Sequence, residues 1–420
     1  MASEAHSEDP EALWRQAEAH LAQAEPRLAL PLARKVAQLA PDHDHAHRFL
    51  AGFANSRGDR EVGQGLMRRF YARNPLGPLR GTSSPGRALL LILRGFHDTE
   101  AKLLKSRETG DYAVIERGGH FTTTYLMQGA DQPRRSFTIA QENLLQPNVV
   151  PPHGLMLNSI ADPDLEAPSL ACLERYLVDH PKTVVLNKPE RVRLTARDQN
   201  YQRFRGWNGI EFPPTFRVMF RTVGAEAVTQ TIAHLGLQGP VILRRTGTQT
   251  GRTTVLLPDA QAVRTHVEQN RNGVLDGEYY LIAYREHRVL DGLFRKLRLF
   301  WIKDRFFPVV CHLDRVWNVH GGNRKTVMRD NEALMAEEKR FLASWQDYVG
   351  PANVVRLERI AAEVDLDFWS IDFTITDAGD VLIYELNPAV RHSFDHGNNS
   401  PYKLPYDYAI TEAFTKMVWC

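Results

Sequence analysis

Two short runs of residues near the C-terminus alternate between apolar and polar positions, as strands with one buried face do. In the first run, Ile371 and Phe373 share one face and Asp372 lies on the other. A second apolar run follows a turn centred between Ala378 and Gly379. The pattern therefore predicts a β-hairpin. The cross-strand pairs that this turn predicts are Ile371 with Leu386, Phe373 with Tyr384, and Asp372 with Glu385.

The polar face of this hairpin has the composition of a metal site. Two carboxylates opposed across a hairpin repel each other unless a cation lies between them. Asp372, Glu385 and the neighbouring Asn387 offer the oxygen ligands that Mg²⁺ prefers. We predict that these three residues bind a divalent metal. The alternative is a solvent-facing hairpin with incidental polar residues.

Residues 11–75 have helical periodicity and an internal repeat. The motif QLAP, ending at Pro41, recurs as YARNP, ending at Pro75, 34 residues later. This is the period of a tetratricopeptide helical pair. The same offset pairs Ala17 with Ala51, Leu32 with Leu66, and Val36 with Phe70. We therefore predict a tetratricopeptide-like module over 1–75 that recruits a peptide. A generic pair of helical hairpins without a groove is the alternative.

The rest of the chain changes pattern twice. Residues 76–86 have the composition of a linker. Strand patterns alternate with a helical pattern over 87–190, which predicts a parallel α/β domain. Residues 191–420 contain mainly strand and hairpin patterns with a few helices. The predicted fold class is a multidomain protein with α/β and α+β parts.

Composition narrows the partners and the compartment. The 420 residues are 43% hydrophobic, and the net charge of +2 comes from 52 basic and 50 acidic residues. No global field therefore favours nucleic acid or an anionic membrane. Cys172, Cys311 and Cys420 are far apart, as in proteins of a reducing cytoplasm. No apolar run is long enough to cross a membrane, so we expect a cytoplasmic protein.

The segment ILRRTGTQTGRTT, residues 242–254, predicts a strand, a small polar loop and a second strand. Gly247 and Gly251 permit close backbone approach, and N–H groups together with the hydroxyls of Thr246 and Thr248 can surround phosphate oxygens. Arg244 or Arg245, at the end of the strand, would reach the same anion. A hairpin turn with incidental arginines is the alternative.

A second basic segment, residues 291–309, places Lys296 and Arg298 on one face of a strand. Two cations on one strand face suit a site that binds polyphosphate, and arginine can bind phosphate through two hydrogen bonds. A solvated strand face is the alternative.

Taken in order, these segments resemble the ATP-grasp superfamily over residues 87–420. The resemblance implies a pre-ATP-grasp α/β domain over 87–190 and an ATP-grasp domain over 191–420. It implies ATP and Mg²⁺ as cofactors, with EYYLIAYRE, residues 278–286, as the adenine-binding strand. Arg244 stands where the family has an ATP-binding lysine, and Arg197 is nearest to the position of another. The implied metal ligands are Asp372, Glu385 and Asn387.

The same resemblance assigns chemistry. Arg298 matches an arginine that faces the phosphates and the acyl phosphate, so it is the predicted catalytic residue. Lys296 joins it in binding the nucleotide. Beyond the metal hairpin, Arg391 could bind a substrate carboxylate, and His392, Asp395 or His396 could contact the nucleophile. A C-terminal loop satisfied by its own contacts explains these four residues equally well.

The predicted function is an ATP- and Mg²⁺-dependent carboxylate ligase that forms an amide or an ester through an acyl phosphate. The helical module makes a peptide or protein the expected substrate, and peptide modification the expected role. We expect no nucleic acid and no membrane as partners, and a homodimer stays open. The alternative is a non-catalytic regulatory or scaffold protein with a relic nucleotide site.

Overall fold

The computed structural model describes residues 9–82, 86–97, 99–106, 109–118, 121–140, 149–248, 253–289, 292–319, 324–394 and 400–419. The chain divides into two compact units. The segments of the first unit are Met1–His120, Asp131–Ile160 and Glu166–Val185. The segments of the second unit are Phe121–Ala130, Ala161–Leu165 and Leu186–Cys420. Both units therefore contain segments that are not contiguous in sequence.

The first unit contains helices and short strands. In chain order its elements are α1 (Pro10–Ala22), α2 (Pro26–Leu39), α3 (Asp44–Ser56), α4 (Arg60–Arg73), β1 (Leu90–Gly95), β2 (Glu100–Lys105), β3 (Tyr112–Arg117), β4 (Arg134–Ile139), β5 (Leu155–Asn158) and α5 (Ala167–Asp179). Strand β6 (Val185–Leu186) has its first residue in this unit and its second in the other.

Helices α1 to α4 repeat along the chain. Helix α1 begins at Pro10, and α3 begins 34 residues later at Asp44. Helix α4 likewise begins 34 residues after α2. Asp9 starts α1 by accepting a hydrogen bond from the backbone N–H of Glu11, and a proline occupies the first position. The helices pack through small buried residues such as Ala29 and Ala33. The repeat has the predicted length, and its identity as a tetratricopeptide module stays a prediction.

The hairpin formed by β2 and β3 packs on these helices. Leu103 and Val114 of the hairpin join the apolar core of the helices. The Asn55 side chain of α3 donates a hydrogen bond to the carbonyl of Ala101 at 2.7 Å. A Cβ at Gly52 would lie 3.2 Å from the backbone nitrogen of Leu103, so α3 and β2 are in close contact. Part of the helical surface is thus covered by the chain's own hairpin.

Strands β4, β1 and β5 form a parallel sheet in that order, with Leu90 beside Arg134 on one side and Leu155 on the other. The apolar run of β1 is almost entirely buried, as expected for a central parallel strand. The predicted linker begins beside this sheet, because the backbone N–H of Gly77 donates to the Ser136 carbonyl.

The second unit contains the remaining elements. Its helices are α6 (Pro189–Arg193), α7 (Arg197–Phe204), α8 (Ala225–His234), α9 (Ala260–Glu268), α10 (Arg324–Val327), α11 (Glu332–Ala343), α12 (Trp345–Val349), α13 (Pro351–Val364) and α14 (Leu404–Trp419). Its strands are β7 (Ile210–Glu211), β8 (Thr215–Val223), β9 (Val241–Arg245), β10 (Thr254–Leu257), β11 (Leu275–Ala283), β12 (Phe294–Ile302), β13 (Arg305–Asp314), β14 (Phe368–Ile375) and β15 (Val381–Asn387). None of the helices in the described part of the chain combines the length and the apolar composition that a membrane span requires.

Two sheets organise this unit. The smaller sheet is antiparallel with the order β10-β9-β11-β8, and α8 and α9 bury apolar side chains such as Val228 and Val263 with it. The larger sheet has the order β13-β12-β14-β15-β7, in which only the β15–β7 pair is parallel. The molecule is therefore a mixed α/β protein with parallel and antiparallel sheets.

The predicted hairpin is β14–β15, and its register corrects one expected pair. Ile371 pairs with Leu386 and Asp372 with Glu385, as predicted, but Phe373 pairs with Ile383 rather than Tyr384. Near the turn the strands are offset by one residue, since Ile375 pairs with Val381. A β-bulge at Tyr384 absorbs this offset and restores the predicted register at the carboxylates.

Candidate active site

Charged side chains from three neighbouring strands lie side by side on the larger sheet. Arg298 on β12 pairs with Asp372 on β14, which pairs with Glu385 on β15. Directly opposed residues point to the same face of a sheet. Arg298 binds Asp372 through two hydrogen bonds, with Nε 2.5 Å from Oδ1 and Nη2 2.7 Å from Oδ2. This is the bidentate geometry that arginine forms with carboxylates.

Lys296 adds a second cation to the same carboxylate, with Nζ 3.3 Å from Asp372 Oδ2. Asp372 is buried. Burial alone would raise the pKa of Asp372, but Arg298 and Lys296 hold that pKa well below its usual range. Burial would lower the pKa of Arg298, whereas Asp372 raises it. Both groups are therefore charged at neutral pH. The predicted shared face of Lys296 and Arg298 is confirmed.

Glu385 is bound by a different arginine. Arg197, the first residue of α7, places Nη2 2.5 Å from Glu385 Oε1, and its Nη1 donates to the Tyr384 carbonyl at 3.0 Å. Asn387 Nδ2 also donates to Glu385 Oε1 at 2.9 Å. Burial would raise the pKa of Glu385, but Arg197 and Arg244 lower it. The two candidate metal-binding carboxylates are thus each paired with an arginine.

Arg244, at the end of β9, is the least neutralised cation of the group. Its Nη2 donates to the Thr248 carbonyl at 2.6 Å. Across the described part of the chain, no carboxylate makes an ion pair with Arg244. Repulsion from the Arg197 guanidinium, followed by burial, lowers the pKa of Arg244 to about 10. An anion beside both guanidiniums would relieve this repulsion.

The loop after β9 turns sharply under a neighbouring segment. Gly247 has a φ of +64°, and a Cβ there would lie 2.4 Å from Leu165 Cγ, so only glycine fits. The Thr246 hydroxyl donates to the Glu278 carbonyl and the Thr248 hydroxyl to the Arg245 carbonyl. The two hydroxyls that were predicted to bind phosphate therefore donate to backbone carbonyls and hold the loop in place. The predicted phosphate-binding Gly251 lies outside the described residues.

A cavity of about 150 Å³ is lined both by charged side chains of the larger sheet and by apolar side chains. Its charged lining residues are Arg197, Arg244, Arg285, Lys296, Asp372 and Glu385. Its apolar and aromatic lining residues include Ile242, Ile282, Tyr284, Phe294, Trp317, Val319, Ile383 and Tyr384. The cavity thus combines a strongly charged part with a largely apolar and aromatic part.

A second cavity of about 40 Å³ shares Arg197, Arg244 and Glu385 with the first. Its other lining residues include Asp162, Asp164, Arg245, Gly247, Thr248, Tyr280 and Asn387. Pattern reasoning missed the two aspartates. The signal was the motif ADPDL, which places two carboxylates around a proline directly after a strand pattern.

The remaining predicted site residues lie elsewhere. Arg298 holds Asp372 but lines neither cavity, and neither does Thr246. Arg391 is exposed. His392 is buried between the rings of Phe300 and Phe394, and its Nε2 lies 3.1 Å from the Thr411 hydroxyl. Asp395 and His396 lie outside the described residues.

The metal prediction rests on oxygen donors alone. In the ranges that the structure describes, no group of three or more His, Cys, Asp and Glu side chains could hold a metal ion. Asp372 and Glu385 face each other and Asn387 adds an amide oxygen, which accepts a hydrogen bond from the Ala389 N–H at 2.9 Å. Carboxylate and amide oxygens are the donors that Mg²⁺ takes from proteins, so the donor chemistry fits.

Comparison with known proteins gives similarities of fold only. No family model matches the sequence. No curated protein matches it either.

Among solved structures, the chain is similar to an ATP-grasp RimK domain protein from Sphaerobacter thermophilus, with 16% identity, 79% of this chain and 100% of the other covered, and a TM-score of 0.44. It is also similar to the D-alanine–D-alanine ligase of Bacillus anthracis in complex with ATP, with 9% identity, 79% and 97% coverage, and a TM-score of 0.42. A third match is the ATP-grasp ligase PsnB, with 11% identity, 78% and 98% coverage, and a TM-score of 0.34. At such low identities and TM-scores, these matches do not establish the family of this chain.

Proposed function

We propose that the protein is an ATP- and Mg²⁺-dependent carboxylate ligase of the ATP-grasp type, which acts on a peptide or protein. One observation carries the proposal. Arg244 and Arg197 are two adjacent guanidiniums that repel each other, and in the described chain only Arg197 of the two has a carboxylate in an ion pair. Both line a cavity whose other side is largely apolar and aromatic. A nucleotide has a matching distribution, with an apolar base at one end and a polyanion at the other.

The chain's residues divide into two groups that suit the two ends. Ile242, Ile282 and Ile383 offer apolar surface to a base. Arg197, Arg244 and Lys296 offer charge to phosphate oxygens, and arginine can bind phosphate with two parallel hydrogen bonds. Arg244 gains most from such a ligand, because its guanidinium has a backbone carbonyl and no carboxylate as a partner in the described chain.

Asp372, Glu385 and Asn387 are the residues that would hold Mg²⁺. When bound with the polyphosphate, the ion neutralises charge that develops during phosphoryl transfer. In the structure, Arg298, Lys296 and Arg197 neutralise the two carboxylates. The carboxylates are therefore kept ionised, which is the state that a metal ligand requires.

The proposed reaction has two steps. A substrate carboxylate oxygen attacks the γ-phosphorus of ATP, ADP leaves, and an acyl phosphate forms. An amine or hydroxyl then attacks the acyl carbon, the phosphate leaves, and an amide or ester results. Arg298 is held by Asp372 with its charge intact, so it suits stabilisation of the transferred phosphoryl group.

The peptide or protein substrate is the finer part of the proposal. It is supported by the repeat of α1 to α4, since helical repeats present extended surfaces to peptides. The surface available is the part of the helices that β2 and β3 leave uncovered.

The proposal is tested with ATP alone before an acceptor is known. Titration calorimetry should detect Mg·ATP binding to the full chain, and Arg244→Gln should weaken it about tenfold because the main anion partner is lost. Arg356→Gln is the matched control, since Arg356 binds Asp380 and the Gly379 carbonyl and lines neither cavity.

Turnover then separates the two readings of the site. Release of ADP and phosphate that depends on an added peptide acceptor would support the ligase. Binding of ATP without turnover on any acceptor would instead support the non-catalytic nucleotide-binding protein. Absence of ATP binding would contradict both.

A further inference from the structure

Arg217, on the edge strand β8 of the smaller sheet, binds carboxylates from separate parts of the second unit. Its Nη2 lies 2.6 Å from Asp164 Oδ1 and 3.1 Å from Asp198 Oδ1, and its Nη1 lies 2.7 Å from Glu278 Oε2. Nη2 also donates to the Tyr280 hydroxyl, and that hydroxyl donates to Asp164 at 2.8 Å. We call these five residues the Arg217 network.

The proposed reaction does not use Arg217, and Arg217 lines neither cavity. Its partner Asp164 belongs to the segment Ala161–Leu165, which lies between β5 and α5 in sequence but within the second unit. Residues Ala161, Asp162, Pro163 and Asp164 all line the smaller cavity with Arg197 and Arg244. Arg217 therefore acts on one wall of the candidate site through Asp164 and Tyr280, without lining the cavity itself.

The segment Ala161–Leu165 is fitted closely to the loop that follows β9. Leu165 lies where a side chain at Gly247 would be. Asp162 Oδ1 accepts the backbone N–H groups of Asp164 and Leu165 at 2.9 and 3.0 Å, which fixes the turn of the segment. Asp164 then joins this turn to β8 and β11 through Arg217 and Tyr280.

The ion pairs of the network are largely covered. The side chains of Asp164, Asp198 and Arg217 are 12%, 18% and 28% exposed. Exposed ion pairs contribute little, but removal of one partner from a covered network leaves like charges facing each other. Without Arg217, the carboxylates of Asp164, Asp198 and Glu278 would repel one another. This repulsion would move the segment Ala161–Leu165, which contains Asp164, away from the sheet.

We propose that Arg217 is a positioning residue for the polyphosphate part of the nucleotide. It holds Ala161–Leu165 against Gly247, and so keeps the loop and Arg244 in the geometry that binds phosphate. This inference rests on the proposed function, since it concerns the same site. The apolar wall of the larger cavity, around Ile282 and Ile383, does not depend on it.

The test compares two ligands that differ in their phosphates. Calorimetry on the full chain measures Mg·ATP and adenosine for wild type, Arg217→Gln and Arg217→Lys. We expect Arg217→Gln to lower the affinity for ATP about tenfold and to leave that for adenosine within about twofold. Lysine keeps the charge but cannot reach three carboxylates at once, so it should restore only part of the loss.

Arg356→Gln is the control for a general loss of stability, because it removes an arginine network of the same unit that lines neither cavity. It should leave both affinities unchanged. Equal losses for ATP and adenosine in Arg217→Gln, or no loss for ATP, would overturn the inference.

Hydrogen exchange distinguishes this failure from failure of the proposed function. The backbone amides of Asp162, Asp164, Leu165 and Gly247 should exchange at least about tenfold faster in Arg217→Gln than in Arg356→Gln, because local opening becomes easier. If wild type bound no ATP, the proposed function would fail, while unchanged exchange in Arg217→Gln would separately remove the positioning role.

Discussion

Glu385 lies among several charged and polar side chains of the candidate site. It is held by Arg197 and Asn387, and it faces Asp372 across the hairpin. Its carboxylate can pair with Arg197 or bind Mg²⁺. If it binds the metal, Arg197 is available for phosphate; if it pairs with Arg197, the metal has one ligand fewer. A substitution of Glu385 can therefore measure which of the two interactions contributes to nucleotide binding.

Glu385→Gln should weaken ATP binding about tenfold in Mg²⁺ but not in EDTA, where the freed Arg197 favours the phosphates. Titration calorimetry with and without Mg²⁺ measures both affinities. Glu363→Gln is the control, since Glu363 pairs with Arg203 and lines neither cavity. Equal ATP affinity for wild type and Glu385→Gln in Mg²⁺ would remove the metal assignment.

Arg298→Lys should lower turnover about a hundredfold and change ATP affinity little, because a contact made mainly in the transition state acts on kcat. The measurement is ATP consumption with a peptide acceptor, beside ATP binding by calorimetry. Arg295→Lys on the same strand is the control, since Arg295 binds Thr374 and Tyr348 instead. A variant that loses only ATP affinity would reassign Arg298 to substrate binding.

Asp407 makes stability depend on pH. Burial is the main cause that raises its pKa to about 6, and Oδ2 has no hydrogen-bond partner among the described residues. The folded protein therefore holds a proton that the unfolded chain, with a pKa of 3.8, has lost. Stability should fall as pH rises from about 4 to about 6, by up to about 3 kcal/mol, and level off above that.

Asp407→Asn should abolish this fall, as measured by urea unfolding between about pH 3 and about pH 7, a range that includes both pKa values. Asp377→Asn in the exposed hairpin turn is the control and should keep the wild-type profile. An unchanged profile in Asp407→Asn would show that another group is responsible.

At the scale of elements, the β2–β3 hairpin is joined to the helices by a buried charged cluster. Glu116 on β3 accepts hydrogen bonds from Arg94 on β1 and from the Tyr71 hydroxyl on α4, and Arg48 on α3 lies 3.5 Å away. The Glu116 side chain is only 4% exposed. One carboxylate thus connects two helices, a hairpin and a parallel strand.

Glu116→Gln should cost about 3 kcal/mol of unfolding free energy at pH 7, because the partly buried Arg94 and Arg48 lose the carboxylate that they share, while Arg48 keeps its ion pair with Asp44. Burial would raise the pKa of Glu116, but Arg94 and Arg48 lower it. Its contribution is therefore present above about pH 4.5 and is lost as pH falls through the lower folded pKa. Urea unfolding measures both effects.

Glu100→Gln on the same hairpin is the matched control. Glu100 pairs with Lys102 at 2.9 Å and is more exposed, so its loss should cost less than about 1 kcal/mol. Equal costs for the two variants would mean that the cluster around Glu116 is not a special connection.

At the scale of the whole molecule, the compact units do not follow simple stretches of sequence. The segments Phe121–Ala130 and Ala161–Leu165 belong to the second unit, although they lie within the predicted α/β domain. Helices α1 to α4 and the parallel sheet belong to the first unit together. The predicted boundaries at 75, 86 and 190 stay predictions.

Deletion of residues 1–75 tests what the helices do. It would expose apolar surface of the hairpin around Leu103 and Val114, so we expect a poorly soluble, aggregating protein. Size-exclusion chromatography and ANS fluorescence measure this outcome. Aggregation would show that the helices cover the hairpin, and it is compatible with recruitment by the helical surface that the hairpin leaves uncovered. A soluble truncated chain that binds ATP but loses activity on long peptides would show recruitment directly, and full activity on peptides would contradict it.

The sequence by itself determined features that depend on neighbours along the chain. Period-two alternation and a tight turn were enough to pair Asp372 with Glu385 and to put Lys296 and Arg298 on one face. A 34-residue repeat was enough to predict the spacing of α1 and α3. These relations are local, since backbone geometry sets which side chains share a face.

Only the tertiary structure decided which distant groups meet. It placed Arg197 on Glu385, 188 residues away, and brought Arg244 beside Arg197. It also brought Asp164 into hydrogen-bond contact with Arg217 and buried His392 in the core. The bulge at Tyr384 shows the limit within one hairpin, because periodicity cannot reveal an inserted residue. Contacts between remote segments follow from packing, burial and charge pairing, to which a pattern along the chain is blind.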